Sequence, residues 1–116
     1  MNVPWWFPFG QVPEVRPADL AREMDGESPP FLLDVRSSVE FAAGHLEGAV
    51  NVPVTSLQAG LVSLELDPGR RVVAICLSAH RSPPAVRLLR RSGLDARQLA
   101  GGMLAWWAAR LPSSRD

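Results

Sequence analysis

The 116-residue sequence has little from which to build metal, redox or disulfide chemistry, because it contains a single cysteine, Cys76. One thiol closes no disulfide within the chain and forms no CxxC zinc or redox motif. It is compatible with a reducing compartment. We also expect no metal site, no cofactor and a cytoplasmic location.

The sequence also lacks an excess of charge and any long apolar run. Its 12 basic residues balance 12 acidic ones, which argues against a nucleic-acid or anionic-membrane surface. No run of about 18 apolar residues is present, so we expect no membrane-spanning helix. The apolar start has no basic region and contains Pro4 and Pro8, so we do not interpret it as a signal peptide. The length predicts one domain over residues 1–116, with residues 1–10 as an aromatic extension.

Short apolar runs alternate with helical patterns along the chain, which predicts a mainly parallel α/β sheet. The first predicted strand contains a proline, which favours a sheet edge. The predicted strands are residues 12–15, 31–35, 49–53, 72–75 and 96–100. The predicted helices are residues 17–24, 38–43, 55–66 and 82–91, with a last helix after the glycine pair at 101–102.

Cys76 directly follows the most β-branched run, residues 72–75, which we expect to be the central strand. The C-terminal ends of parallel strands face the crevice where such sheets bind ligands. The turn after Cys76 leads into a helix, and its backbone N–H groups can converge on an anion together with the helix dipole. We therefore predict a nucleophile with an enlarged thiolate fraction, beside the fixed charge of Arg81.

The alternative for Cys76 is a buried structural cysteine, which is common for a lone thiol after an apolar run. The spacing argues against it. Cys76 is followed by four residues and then by Arg81 and Ser82, where the helix opens.

Three segments in order resemble the rhodanese (thiosulfate sulfurtransferase) family over nearly the whole chain. They are Leu-Asp-Val-Arg at 33–36 with the run 44–53, the loop 76–82, and Gly-Gly-Met-Leu-Ala-Trp at 101–106. The resemblance implies a rhodanese-like three-layer domain, with a mainly parallel sheet of about five strands flanked by helices.

The resemblance also implies that Cys76 takes sulfane sulfur from a small anionic donor such as thiosulfate and forms a persulfide. Main-chain amides of the loop would stabilise the persulfide. Since no second cysteine can resolve it, the acceptor is external: cyanide, a thiol or a protein. The implied substrate-binding residues are Leu77, Ser78, Ala79, His80, Arg81 and Arg36.

Two other functions remain open. Related cell-cycle phosphatases have a loop one residue longer between cysteine and arginine, which makes room for phosphate, so the short loop disfavours a phosphatase or arsenate reductase. The other alternative is a non-catalytic module that keeps the fold for protein contact. The presence of Cys76 and Arg81 argues against it.

The sequence departs from the family pattern at two positions where glycine is usual, Ala79 and Arg110. If the backbone at Ala79 needs a positive φ, alanine costs about 1 kcal/mol there. His80 is a weak candidate for attracting anionic donors. We expect His45 to be structural and to orient the turn before the strand at 49–53.

Charged and aromatic residues outside the loop carry weaker expectations. Asp34, Arg36 and Glu40 are expected to form an ion-pair network at the strand end, so that a substrate contact by Arg36 is the second choice. Trp106 is expected in the core. The aromatic N-terminus is expected to fold back over the last helix near Trp107, against the alternative of an exposed partner-binding or dimer patch.

Overall fold

The computed structural model describes residues 4–7 and 10–116. Its strands are β1 (Glu14–Val15), β2 (Phe31–Asp34), β3 (Val50–Asn51), β4 (Val72–Ile75) and β5 (Ala96–Leu99). Its α-helices are α1 (Pro17–Met24), α2 (Ser38–Ala43), α3 (Val54–Gly60), α4 (Ser82–Arg91) and α5 (Gly102–Ala108). A short 3-10 helix, Val62–Leu64, follows α3.

The strands form one five-stranded sheet in the order β1-β5-β4-β2-β3, and every pairing is parallel. This confirms the predicted sheet, with β4 at its centre and β1 at one edge. Two predicted strands are shorter than expected, since β1 and β3 have two residues each. The predicted helix at 55–66 was too long: α3 ends at Gly60, and of the leucines that follow only Leu64 lies in the 3-10 helix.

Side chains of β4 alternate between two cores, as expected for a strand covered on both faces. Val72, Ala74 and Cys76 belong to the core that includes residues of α3 and α4. Val73 and Ile75 belong to the core that includes residues of α1 and α5. The two-residue period therefore places the Cys76 side chain on the α4 side of the sheet.

The described part of the N-terminal segment does fold back, but onto α4 and not near Trp107, which corrects the sequence-based expectation. Trp5 packs against the core on the α4 side. Arg87, on α4, donates hydrogen bonds to the backbone oxygens of Trp5 and Phe7. The indole nitrogen of Trp107 instead donates to Ser113 Oγ. Residues 1–3, 8 and 9 of the extension lie outside the described residues.

None of the helices within residues 4–7 and 10–116 is both long enough and apolar enough to cross a bilayer.

Candidate active site

Cys76 follows the last residue of β4 and is fully buried, with 0% of its surface exposed. Its Sγ lies 3.3 Å from the Oγ of Ser82, the first residue of α4. Strand β4 and helix α4 therefore hold the two ends of the loop 77–81, which we call the active loop. The sulfur lies beneath this loop.

The first turn of α5 anchors the beginning of the active loop. The backbone N–H of Met103 donates to the oxygen of Cys76 at 2.8 Å, and the N–H of Leu104 donates to the oxygen of Leu77 at 2.9 Å. This contact requires glycine at 102, because a Cβ there would lie 2.4 Å from the oxygen of Cys76. Gly102 also has φ +63°, a conformation that glycine adopts at little cost.

The anchored carbonyls decide where the next amides point. In a trans peptide the C=O of one residue and the N–H of the next point in opposite directions. Because the carbonyls of Cys76 and Leu77 face α5, the N–H groups of Leu77 and Ser78 point away from it. Within the described residues, the N–H groups of 77–81 donate to no acceptor. They are therefore free to bind an anion.

Helix α4 begins after these amides. Its N-cap is Arg81, and Pro83 and Pro84 lie in its first turn. Proline has no N–H group, but the first-turn positions have no intrahelical acceptor to lose. The two prolines therefore remove no donor from the active loop.

Ala79 occupies a left-handed backbone conformation, with φ +62°. This confirms the expectation that the loop needs a positive φ where alanine replaces the usual glycine. Arg110, the second departure, also has a positive φ of +59°. Both residues therefore carry the conformational penalty of an L-amino acid in the left-handed region.

The middle of the active loop is held by its own polar side chains. His80 is exposed, and its Nδ1 lies 2.7 Å from Ser78 Oγ and 3.0 Å from the backbone oxygen of Ser78. Leu77 and Ala79 are half-buried and pack against the cores on opposite faces of the sheet. These four residues thus form one short segment at the surface.

Arg81 is paired with Glu40 of α2. Its guanidinium donates to the two carboxylate oxygens at 2.5 and 2.8 Å. These hydrogen bonds from Arg81, with further ones from Ser37, lower the pKa of Glu40 to about 2, against the effect of partial burial. The same hydrogen bonds to Glu40 raise the pKa of Arg81, against its partial desolvation. Both groups are therefore charged at neutral pH, and much of the charge of Arg81 is compensated.

Arg36 pairs with Asp34 and not with Glu40, so the expected three-residue network divides into two pairs. The guanidinium of Arg36 donates to Asp34 Oδ2 at 2.8 Å and to the backbone oxygen of Gly44 at 2.7 Å. Arg36 is 1% exposed. A group committed to these buried acceptors has no surface for a ligand, so the salt bridge is its role and we withdraw the substrate contact.

A cavity of about 590 Å³ lies beside the active loop. Its lining includes Ala79 and His80 from the loop, Glu14 from β1 and Gln98 from β5. Cys76 does not line it, and the residue is fully covered. In this conformation the sulfur therefore has no opening to the cavity.

The two remaining expectations concern residues away from the active loop. His45 is buried, and its ring nitrogens bind the backbone oxygens of Phe41 and Asp116 at 2.6 and 2.7 Å. Trp106 is 1% exposed and donates to the oxygen of Pro112. Both placements agree with the structural roles that the sequence indicated.

Sequence analysis missed a chain of polar side chains that ends at Cys76. The Ser82 hydroxyl donates to Gln98 Oε1 at 2.7 Å, and Gln98 Nε2 donates to Glu14 Oε2 at 3.1 Å. We call Glu14, Gln98 and Ser82 the polar relay. A polar residue at 98, in a strand whose other core-facing neighbours are apolar, was the one available signal. It became informative only once the sheet order placed β5 beside β4.

Comparison with known proteins agrees with this fold. The family model described as "Rhodanese-like domain" matches residues 16–109. The chain belongs to the rhodanese-like domain family.

Relatives with sulfur-transfer names are similar at modest identity. The putative sulfurtransferase YtwF of Bacillus subtilis is 28% identical over 96 residues, covering 83% of this chain and 91% of the relative. The probable adenylyltransferase/sulfurtransferase MoeZ of Mycobacterium tuberculosis is 31% identical over 93 residues, covering 79% of this chain and 24% of the relative. An HTH-type transcriptional regulator of that species is 42% identical over 83 residues, covering 70% and 36%.

Solved structures show the same architecture. A rhodanese-related protein from Thermoplasma volcanium superposes with a TM-score of 0.81 at 25% identity, covering 90% of this chain and 100% of that one. A thiosulfate sulfurtransferase from Pseudomonas aeruginosa gives 0.77 at 30% identity, covering 90% and 19%. This chain spans less than half the length of several curated relatives, including the regulator and MoeZ.

Proposed function

We propose that this protein is a sulfurtransferase of the thiosulfate sulfurtransferase type. Cys76 accepts a sulfane sulfur from a small anionic donor and passes it to an external acceptor. The observation that carries the proposal is the set of unengaged backbone N–H groups at 77–81, which begin directly after the one thiol of the chain.

Loading is a displacement at sulfur. The Cys76 thiolate attacks the outer sulfur of thiosulfate, the Sγ–S bond forms, and the S–S bond of thiosulfate breaks. Sulfite leaves with the electron pair of that bond, and the negative charge of the persulfide rests on its outer sulfur. The amides of 77–81 and the N-terminus of α4 stabilise that charge as fixed donors.

Unloading breaks the Sγ–S bond that loading formed. Cyanide, a thiolate or a protein thiolate bonds to the outer sulfur, and the Sγ–S electron pair returns to Cys76. Because the chain has no second cysteine, the persulfide is not resolved internally. A role as a cytoplasmic sulfur carrier for an external partner belongs to this proposal, and the single thiol is compatible with it.

Two functions of the loop residues belong to this proposal. Leu77, Ser78, Ala79, His80 and Arg81 supply the amides that surround the transferred sulfur. His80, exposed at the cavity edge, and Arg81 favour the approach of an anionic donor. Arg81 contributes less than a free guanidinium would, because Glu40 binds both of its outer nitrogens.

One observation favours a second function, a non-catalytic protein-contact module: the Cys76 sulfur is covered in this conformation. Intact mass after incubation with thiosulfate separates the two. The sulfurtransferase gains the mass of one sulfur atom, loses it to cyanide, and gains nothing in the Cys76→Ser variant. A protein that takes no sulfur from thiosulfate, from an organic persulfide or from polysulfide is the module.

The same samples test the phosphatase alternative. The short loop predicts no hydrolysis of an aryl phosphate under conditions in which sulfur loading is complete. Phosphate release that disappears in Cys76→Ser would overturn the sulfur assignment.

A further inference from the structure

The hydrogen bonds of the polar relay all run in one donor-to-acceptor direction, which is set by the chemical groups that form them. An ionised carboxylate accepts hydrogen bonds and donates none. Glu14 therefore turns the NH2 group of the Gln98 amide toward itself, at 3.1 Å, and the amide oxygen toward Ser82. An amide oxygen also only accepts, so the single proton of the Ser82 hydroxyl is committed to Gln98, at 2.7 Å.

This direction leaves only lone pairs of Ser82 Oγ facing the sulfur. The Sγ–Oγ contact of 3.3 Å is then a bond that the Cys76 thiol donates and Ser82 accepts. Such a bond exists only while Sγ carries its proton. A thiolate at the same place would face oxygen lone pairs in a fully buried setting, which is unfavourable.

We infer that Glu14, acting through Gln98, withholds the Ser82 hydroxyl proton from Cys76 and so shifts the resting nucleophile toward the protonated thiol. The relay thereby opposes the larger thiolate fraction that the loop amides and the helix dipole favour. Gln98 and Glu14 are positioning residues, since they act on the sulfur through Ser82. Ionisation proceeds when the hydroxyl turns from Gln98 to Sγ, exchanging one hydrogen bond for another.

The burial of the relay makes the effect local. Ser82 is 0% exposed and Gln98 is 7% exposed, so water does not readily replace either partner. Glu14 is exposed at the sheet edge and lines the cavity beside the active loop. Among charged groups, Arg81 interacts electrostatically with Cys76, and it is paired with Glu40. Asp34, which also interacts with Arg81, is itself paired with Arg36.

The inference concerns ionisation of Cys76, and it deepens the proposed function without needing sulfur transfer for its test. After loading, Sγ is a neutral divalent sulfur and has no need of a donor, so the relay is compatible with the persulfide. Acceptor-driven release returns charge to Sγ, where the relay offers no donor. The relay therefore favours a durable persulfide, a consequence that rests on the proposed function.

The test is a titration of the thiolate by its ultraviolet absorbance. The chain has one cysteine and no tyrosine, so a Cys76→Ser blank leaves the signal of one thiolate, free of tyrosinate. We expect Gln98→Met to raise the thiolate-to-thiol ratio about fivefold at a given pH in the transition, the equivalent of one neutral hydrogen bond of about 1 kcal/mol. The rate of iodoacetamide alkylation at that pH rises in proportion.

A double-mutant cycle separates the relay from a long-range charge effect. Glu14→Gln frees the Gln98 amide to turn, so the thiolate fraction rises. In the Gln98→Met background the same change has no further effect. An equal response to Glu14→Gln in both backgrounds would mean simple charge repulsion and would overturn the inference, as would an unchanged or lower thiolate fraction in Gln98→Met.

Gln98 is buried, whereas Glu14 is exposed. Glu14→Gln therefore provides a test that does not depend on correct folding of the Gln98→Met variant. The matched control is Glu27→Gln, an exposed glutamate outside the relay, for which we expect no change. If Glu14→Gln leaves the thiolate fraction at the level of this control, the relay does not govern Cys76. That outcome would leave sulfur loading by the wild type intact, so the two failures are distinguishable.

Discussion

The left-handed backbone at Ala79 predicts that replacing a residue of the active loop by glycine stabilises the protein. An L-residue in this region costs about 1–2 kcal/mol relative to the right-handed one. Glycine loses about 0.5–1 kcal/mol more backbone entropy on folding. Ala79 has φ +62° and is half-buried against the core on the α4 side, so loss of its methyl group offsets part of the gain. We expect Ala79→Gly to increase the free energy of unfolding by about 0.5 kcal/mol.

The matched control is Ala21→Gly. Ala21 is also half-buried and also packs against a core, but it lies inside helix α1. Glycine there costs about 1 kcal/mol in helix propensity. The two alanine-to-glycine changes should therefore shift the urea midpoint in opposite directions with unchanged m-values.

Arg110 is a second residue with a positive φ, and unlike Ala79 it is exposed. Arg110 has φ +59° and is exposed, so Arg110→Gly should gain about 0.5–1 kcal/mol with no loss of contact. If Ala79→Gly destabilises as much as Ala21→Gly, the loop does not hold the left-handed conformation, and the reasoning about the amides of 77–81 fails with it.

Two further predictions test the supports of the active loop. The folded pKa of Glu40, about 2, lies below its ordinary value of 4.5, so its pairing with Arg81 contributes stability above about pH 4.5 that is lost as pH falls toward 2. Glu40→Gln should remove that part of the acid dependence in urea titrations from pH 2 to 7. The change should be no more than about 1 kcal/mol, because both side chains remain about a third exposed to solvent. An unchanged slope would contradict the pairing. Gly102→Ala should destabilise by more than about 2 kcal/mol, since its Cβ would lie 2.4 Å from a loop carbonyl oxygen. Gly48→Ala, with φ +83° and nothing within 4 Å of the added Cβ, should lose only about 1 kcal/mol, and equal losses would refute the anchoring role of Gly102.

Local patterns predicted the parts of the fold that they encode. Helices α1 and α4 have the bounds expected from their apolar spacing and their prolines. Strand β4 has the bounds of its β-branched run. The helix predicted over residues 55–66 was wrong at its end because leucine periodicity continues past Gly60, where the α-helix stops. Periodicity does not register a glycine or the left-handed Glu65 that ends the 3-10 turn.

Contacts between distant segments were harder to predict than the loop itself. The spacing of Cys76 and Arg81 identified the active loop, because both ends of that motif are local in sequence. The partner of Arg81 is 41 residues away, at Glu40, and the sequence assigned Glu40 to a different arginine. The polar residue at 98 could be interpreted only once β5 was known to lie beside β4. Such pairings depend on strand order, which short-range patterns do not contain.

The central claim is that main-chain amides of the active loop carry the charge of the transferred sulfur. The most direct measurement is the backbone amide NMR spectrum of the isotope-labelled protein before and after thiosulfate, with intact mass recorded on the same sample. The account predicts that gain of one sulfur atom shifts the resonances of residues 77–81 and slows their exchange with solvent, and that cyanide reverses both. A full gain of sulfur with those five amides unchanged would contradict it.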